Sequence, residues 1–274
     1  MAAKQIGSVA SLHRYPVKSM MGEELNATRV GTKGFHGDRA FAIADVGTGK
    51  IASAKNPSKW PTLFSFRATF TEPLNGSDFL PPALITFPDD STITTEDKDI
   101  ATRLSLSLGK PVHFLKSAPA AGTLEEYWAD IDGLARRDVV TDEAMPAETF
   151  FDLGMIHLLT TATLDSFRAL YPEGRFESRR FRPNLVIQTT PDFKGFPENE
   201  WDEKILAIGV EVKIKITGPC GRCVMTTLPQ GDLPRDTGIL KTAARHNQAR
   251  VGAYASVLQG GVIRAGDLVQ IASN

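Results

Sequence analysis

Apolar residues recur in short runs along the first half of the chain, from Gly7 to about Phe114. VASLHRYPV, ATRVGTKG, DRAFAIAD, ASAKNPSKW, LFSFRATF and ALITFP are each bounded by Gly, Pro, Asn or Asp. Runs of this length and punctuation predict strands, and strands at such regular intervals usually close into a sandwich or barrel. Glu72 to Pro82 reads as a loop, and Glu96 to Gly109 as a short helix leading into PVHFL. Residues Ala118 to Ala147 are polar and irregular, rich in Asp, Glu and Ala, and read as a linker or long excursion between two halves. Beyond it, Leu164, Phe167 and Leu170 stand at helical spacing behind a cap at Thr163. NLVIQTT, LAIGVEVKIKITG and YASVLQGGVIRAGDLVQIA predict strands, the last folded into a hairpin at Gly260 and Gly261, and ILKTAARHN predicts a helix. The expected class is mainly β with a few helices (α+β), divided into residues 1–117 and 118–274.

Composition narrows the class without naming a function. Hydrophobic residues are 42% and charged residues 23% of 274, near the average of soluble globular proteins, which excludes disordered, collagen-like and membrane-spanning chains. Lys and Arg total 31 against 32 Asp and Glu, so the global positive field that non-specific nucleic-acid binding needs is absent. Neither nucleic acid nor a membrane is an expected partner. The N-terminus has no sustained apolar segment, and the only cysteines are Cys220 and Cys223. Both features fit a reducing compartment, and a cytoplasmic location is expected.

Chemistry concentrates in TGPCGRCVMTT, residues 217–227, where a strand ends in Gly and Pro and two thiols flank Arg222. A guanidinium stabilises a neighbouring thiolate, and a loop at a strand end can expose it, the conditions for a reactive or metal-ligating cysteine. Four readings stay open here. Both thiols could be ordinary, one buried as a small hydrophobe. A zinc site lacks paired histidines, because the five histidines show no H-x-H or H-x-x-x-H spacing. A thioredoxin-like pair has the Cys-x-x-Cys spacing but no helix after it. A single soft thiolate could ligate a transition metal held mainly by its own organic cofactor, which requires an anion site elsewhere. RYPVKSM and GFHGDRAFAI offer one: Lys18 a point charge, Ser19 a hydroxyl and Arg39 a planar fork. RRFRPNLVIQ places Arg182 and Asn184 around Pro183 on extended backbone, able to bind a heterocycle or phosphate, or equally to pair with nearby acids.

Taken in order, YPVKS, GDR, FRPN, CxRCxxTT and the terminal GVIRAGDLVQI resemble the MOSC family, named for its relation to the C-terminal domain of molybdenum cofactor sulfurase. The likeness spans nearly the whole chain. It is nearest to the branch with an N-terminal β-barrel domain, which includes bacterial N-hydroxylated-compound reductases and the mitochondrial amidoxime-reducing component. The resemblance implies an N-terminal β-barrel-like domain packed on a MOSC β-barrel domain, with a molybdenum-pterin cofactor (molybdopterin) between them. It implies Cys223 as the metal ligand, Lys18, Ser19 and Arg39 at the phosphate and pterin, and Arg182, Asn184 and Arg222 as further cofactor contacts. Asp152 falls where the family has an acidic residue near the metal, which would position substrate or water; a turn or cap aspartate is the plainer reading. Ser53-Ala54-Lys55 departs from a Thr-Ala-Arg triplet seen in several relatives, so a bidentate contact there is lost.

The implied activity is an oxidoreductase reducing small N-hydroxylated substrates. No further cysteines are present to hold an iron–sulfur cluster, so electrons are expected from a separate ferredoxin- or flavoprotein-type donor. The alternatives are a sulfur carrier or cofactor-handling protein using a Cys223 persulfide, and a module that stores the cofactor without turnover.

Overall fold

A closed barrel of seven strands dominates the C-terminal half of the computed structural model, which describes residues 4–74, 76 and 79–272. In chain order the strands are β1 (Lys4–Arg14), β2 (Glu23–Leu25), β3 (Ala27–Gly31), β4 (Gly34–Phe35), β5 (Ala42–Asp45), β6 (Arg67–Phe70), β7 (Ala83–Thr86), β8 (Thr92–Thr94) and β9 (Val112–Leu115). They continue with β10 (Thr123–Trp128), β11 (Val139–Ala144), β12 (Ile156–Thr160), β13 (Leu185–Thr189), β14 (Ile205–Ile208), β15 (Val212–Gly221), β16 (Arg250–Gln259), β17 (Gly261–Arg264) and β18 (Leu268–Ile271). The helices are α1 (Ile100–Leu108), α2 (Thr161–Leu170) and α3 (Gly238–Asn247). The protein is thus mainly β with a few helices, as expected. Among the described residues no helix is long and apolar enough to cross a membrane.

The barrel order is β13–β12–β16–β15–β14–β18–β1, closed by pairing of β1 with β13. Alternation supplies its core: Leu185 and Ile187, Leu206 and Ile208, and Ile214 and Ile216 all face inward at period two. In β1 the core residues Ile6, Val9 and Leu12 are spaced by three instead, because register shifts at Gln5/Gly7 and Val9/Ser11 rotate the strand between them. The N-terminal strand therefore completes the C-terminal barrel. The parallel pair β12 and β13 is joined through α2, whose Thr160 side chain accepts a hydrogen bond from the Thr163 amide. The cap is Thr160, not Thr163 as the sequence implied, so the helix begins a turn earlier.

The other core lies under β5 to β9 and α1, where Val17, Phe41, Trp60, Phe66, Ile85 and Leu104 pack together. ASAKNPSKW, expected as a strand, is instead a run of turns: Trp60 N–H donates to Asn56 O and Asn56 N–H to Ser53 O, with Pro57 unable to donate to a ladder. Of the loop expected from Glu72 to Pro82, residues 75, 77 and 78 lie outside the described residues.

Three further expectations are corrected. The segment read as a linker contains a hairpin, β10 against β11 from Thr123↔Ala144 to Trp128↔Val139, tied to the N-terminal half by a bridge from Ile51 to Leu124. LAIGVEVKIKITG is two strands, β14 and β15, turning between Ile208 and Val212. Gly260 and Gly261 do not turn a hairpin: β17 pairs with β3, far back in the chain. A Cβ on Gly260 would sit 2.6 Å from the Val30 carbonyl, so glycine is what lets the chain cross to that strand.

Candidate functional site

Where β1 ends, the chain lies beside the GDR loop, and backbone bonds zip the two together. Arg39 N–H donates to Tyr15 O, Phe41 N–H to Pro16 O and Lys18 N–H to Phe41 O. Beneath them, the Asp38 carboxylate accepts from Tyr15 N at 2.8 Å and from Asn184 Nδ2 at 2.8 Å, and it pairs with the Arg39 guanidinium. Asn184 is fully committed, since its amide also donates to His13 O and its carbonyl accepts from His157 N. One buried Asp–Asn pair thereby fastens β1, β12 and β13 to the GDR loop.

On this frame Ser19, Arg39 and Arg182 adopt φ of 63°, 48° and 52°. Left-handed backbone is uncommon for residues other than glycine and clusters at sites where side-chain aim matters more than local stability. All three side chains line one cavity of about 60 Å3, together with Lys18, Asp152, Asn184 and Arg222. Seven of the eight candidate positions from the sequence are thus brought together, from both halves of the chain. Cys223 does not line the cavity itself, but it lies between Arg222 and Met225, which do.

Four buried or nearly buried cations face this small space, and their neighbours only partly compensate them. Lys18 donates to Phe150 O at 2.7 Å and ion-pairs with Asp152; burial lowers its pKa against the pull of that carboxylate. Asp152 is held far below the usual carboxylate range, because Lys18 and Lys55 together outweigh its burial. Arg182 donates to Met20 O at 2.7 Å and stacks 4.1 Å from the centre of the Tyr15 ring, which Arg39 approaches at 4.4 Å. Burial, then repulsion from Arg39, pushes Arg182 down to about 10. Arg222 donates to Phe181 O at 3.0 Å, and its buried Nε has no hydrogen-bond partner among the described residues.

The two thiols differ in kind. β15 runs through Gly218 and Pro219 to Gly221 on two register shifts, so Cys220 belongs to the strand rather than to an exposed loop beyond it. Arg222 Nη1 donates to Cys220 Sγ at 2.8 Å. Burial alone would raise the Cys220 thiol, but Arg222 and then His157 outweigh it and bring it down to about 6. Burial, then the Glu126 carboxylate, pushes the Cys223 thiol up to about 12 despite Lys55 and Arg222. Neither thiol is freely exposed, Cys223 being 8% accessible and Cys220 fully buried. The guanidinium expected to serve a reactive thiol serves the inner one.

Residues 149–270 match the MOSC domain, and residues 6–101 match the MOSC N-terminal beta barrel domain. The chain belongs to the MOSC family. MOSC domains are associated with the molybdenum cofactor, and the family also handles persulfide-type sulfur. No curated protein matches the chain. Among solved structures, the YUAD protein from Bacillus subtilis is similar in fold over 100% of both chains, at 11% identity and a TM-score of 0.50. YiiM from Geobacillus stearothermophilus is 19% identical over 43% of this MOSC chain and 55% of its own, at a TM-score of 0.33.

The charge and hydrogen-bonding chemistry of the side chains fits the group associated with the family, while a cavity of about 60 Å3 would admit only part of it. An excess of buried positive charge around a small cavity, with an orphaned guanidine nitrogen, suits an anionic, hydrogen-bonding ligand. Among the described residues no cluster of three or more His, Cys, Asp or Glu could hold a metal ion, so a metal here would depend on ligands brought by its own cofactor.

Several participants lay outside the sequence reading. Tyr15 and Asp38 stand inside quoted motifs but acquire their roles only through contacts to Arg182 and Asn184, more than a hundred residues away. Arg180, fully buried, donates to Arg175 O, Leu228 O and Pro234 O and fixes the segment following Cys223. Lys55 pairs with Glu126 at 2.9 Å and lies 3.5 Å from Asp152. A lysine where relatives carry arginine was its only signal.

Proposed function

We propose that this MOSC protein is an oxidoreductase that uses a molybdenum-pterin cofactor to reduce N-hydroxylated compounds. The observation that carries the reading is the convergence of Lys18, Arg39, Arg182 and Arg222 on one cavity adjoining Cys223. Lys18, Ser19 and Arg39 would hold the phosphate of the cofactor, and Arg182 and Arg222 its pterin. Asn184 acts by holding Asp38, and through it Arg39, in place. Cys223 would supply one soft thiolate to the metal; binding there exchanges the thiol proton for the metal and overcomes the burial that otherwise keeps the thiol neutral. When bound, the cofactor supplies the two-electron couple for the reaction.

The overall change is R–NHOH + 2 e− + 2 H+ → R–NH2 + H2O: the N–O bond breaks, nitrogen is reduced and the oxygen leaves as water. Electrons come from a separate ferredoxin- or flavoprotein-type donor. Asp152, ionised and flanked by two ammonium groups, is suited to accept a hydrogen bond from the substrate and orient it, and unsuited to donate a proton.

The test is turnover. Protein from a cofactor-proficient host, with reduced methyl viologen as donor, should convert N-hydroxylated compounds to amines, and Cys223→Ala should not. A mass increment of about one sulfur, removed by thiol reductant and without turnover, would replace this reading with sulfur transfer. Bound cofactor without turnover would replace it with storage.

A further inference from the structure

A second cleft, of about 380 Å3, opens beside the cofactor cavity and shares Asp152, Leu153, Arg222 and Tyr254 with it. The β10–β11 hairpin and the loop joining its strands build its outer wall, contributing Glu126, Trp128 and Leu134. This hairpin falls between the two matched domains, in a segment that neither covers.

The chemistry of the cleft is divided. At its floor Lys55 lies between the carboxylates of Glu126 and Asp152, which places one donor and two acceptors close together. An N–OH group that carries both an N–H and an oxygen matches that set; a purely accepting or purely donating head does not. The walls are mixed, with Glu143 and Gln248 beside apolar side chains. The Trp128 indole N–H is already used on Thr141 Oγ1 at 2.8 Å and the Arg136 guanidinium lies 5.2 Å from the ring centre, so what Trp128 gives the cleft is aromatic surface, and Leu134 and Leu153 add aliphatic surface. The volume falls within the roughly 300–1,000 Å3 of small-molecule pockets.

We propose that this cleft is the substrate chamber and that Trp128 selects substrates bearing a flat apolar group. The inference rests on the reductase reading for the identity of the N–OH head. The aryl preference rests on the walls alone.

The test pairs benzamidoxime, which has a flat apolar body, with N-methylhydroxylamine, which has none. Trp60 and Trp201 are buried at 3% and 2% exposure, so of the three tryptophans only Trp128 can report on the cleft. Benzamidoxime should quench the intrinsic fluorescence of the full chain saturably, and Trp128→Ala should abolish the quenching. In cofactor-loaded protein Trp128→Ala should raise KM for benzamidoxime about tenfold with kcat little changed, and leave KM for N-methylhydroxylamine alone. Ala135→Trp, at an exposed position lining the cleft, guards against a hairpin that merely loosens: it should exclude benzamidoxime and admit N-methylhydroxylamine. Quenching that depends on Trp128 in a protein that reduces neither compound would uphold the chamber and sink the reductase reading. Reduction of both compounds with unchanged KM in both variants would overturn the chamber and leave the reductase reading intact.

Discussion

Replacing Asp38 by alanine removes the acceptor for three donors at once. The carboxylate takes Tyr15 N–H and the Asn184 amide at 2.8 Å each and pairs with Arg39. A buried donor left without a partner costs about 1–3 kcal/mol, so the amide and the Asn184 nitrogen together account for about 2–6 kcal/mol. Arg39 keeps some access to water and its stacking on Tyr15, and its loss adds only about 1 kcal/mol. The total, about 3–7 kcal/mol, corresponds to a Tm lower by about 6–14 °C at about 2 °C per kcal/mol for a chain of this size. Asp38→Asn keeps one acceptor oxygen and should lose about half as much. Thermal unfolding followed by circular dichroism measures both, and denaturant titration with an unchanged m-value would assign the loss to the native state. If Asp38→Ala melted within about 2 °C of the parent, the Asp38–Asn184 pair would not be what fastens the strands to the GDR loop.

Arg180→Met should leave the carbonyls of Arg175, Leu228 and Pro234 without their buried donor, costing about 2–4 kcal/mol and speeding tryptic cleavage at Arg235; an unchanged digestion course would contradict this. Glu198 is buried, and burial holds its pKa above the usual value despite bonds from Thr163 and Thr160. As pH rises past about 4.3 the unfolded chain releases this proton first, so the folded state loses stability with rising pH until Glu198 itself ionises. Glu198→Gln should flatten that fall in pH-dependent melts, and parallel curves would argue against it. Thr160→Ala removes the cap of α2 and should cost about 1 kcal/mol, read as a Tm about 2 °C lower. No change would mean that the Thr160 hydroxyl does not hold the first turn.

The barrel strands were legible because their signals are local: KIKIT shows by alternation which side is inward within five residues, and NLVIQ is a short apolar run. Pairing partners were not. That β1 closes the C-terminal barrel and β17 joins β3 is decided by which apolar faces remain to be covered after the hairpins form, and no local pattern records it. The β10–β11 hairpin was hidden because one of its buried positions carries Glu126, whose charge is matched by Lys55, 71 residues earlier. At the site, seven of the eight residues singled out by motif share one cavity. Their backbone strain was invisible, since Ser19, Arg39 and Arg182 take conformations that sequence associates with glycine or asparagine. The division of labour between Cys220 and Cys223 also escaped it, because Arg222 is adjacent to one thiol in sequence and bonded to the other in space.

Molybdenum content measures the central claim most directly. Protein made in a cofactor-proficient host is compared with its Cys223→Ala variant by elemental mass spectrometry, with pterin fluorescence read after oxidation of the same samples. About one molybdenum per chain in the parent, with far less in the variant, is expected for a soft thiolate ligand beside an anion-binding cavity. Parent protein free of both metal and pterin would contradict it.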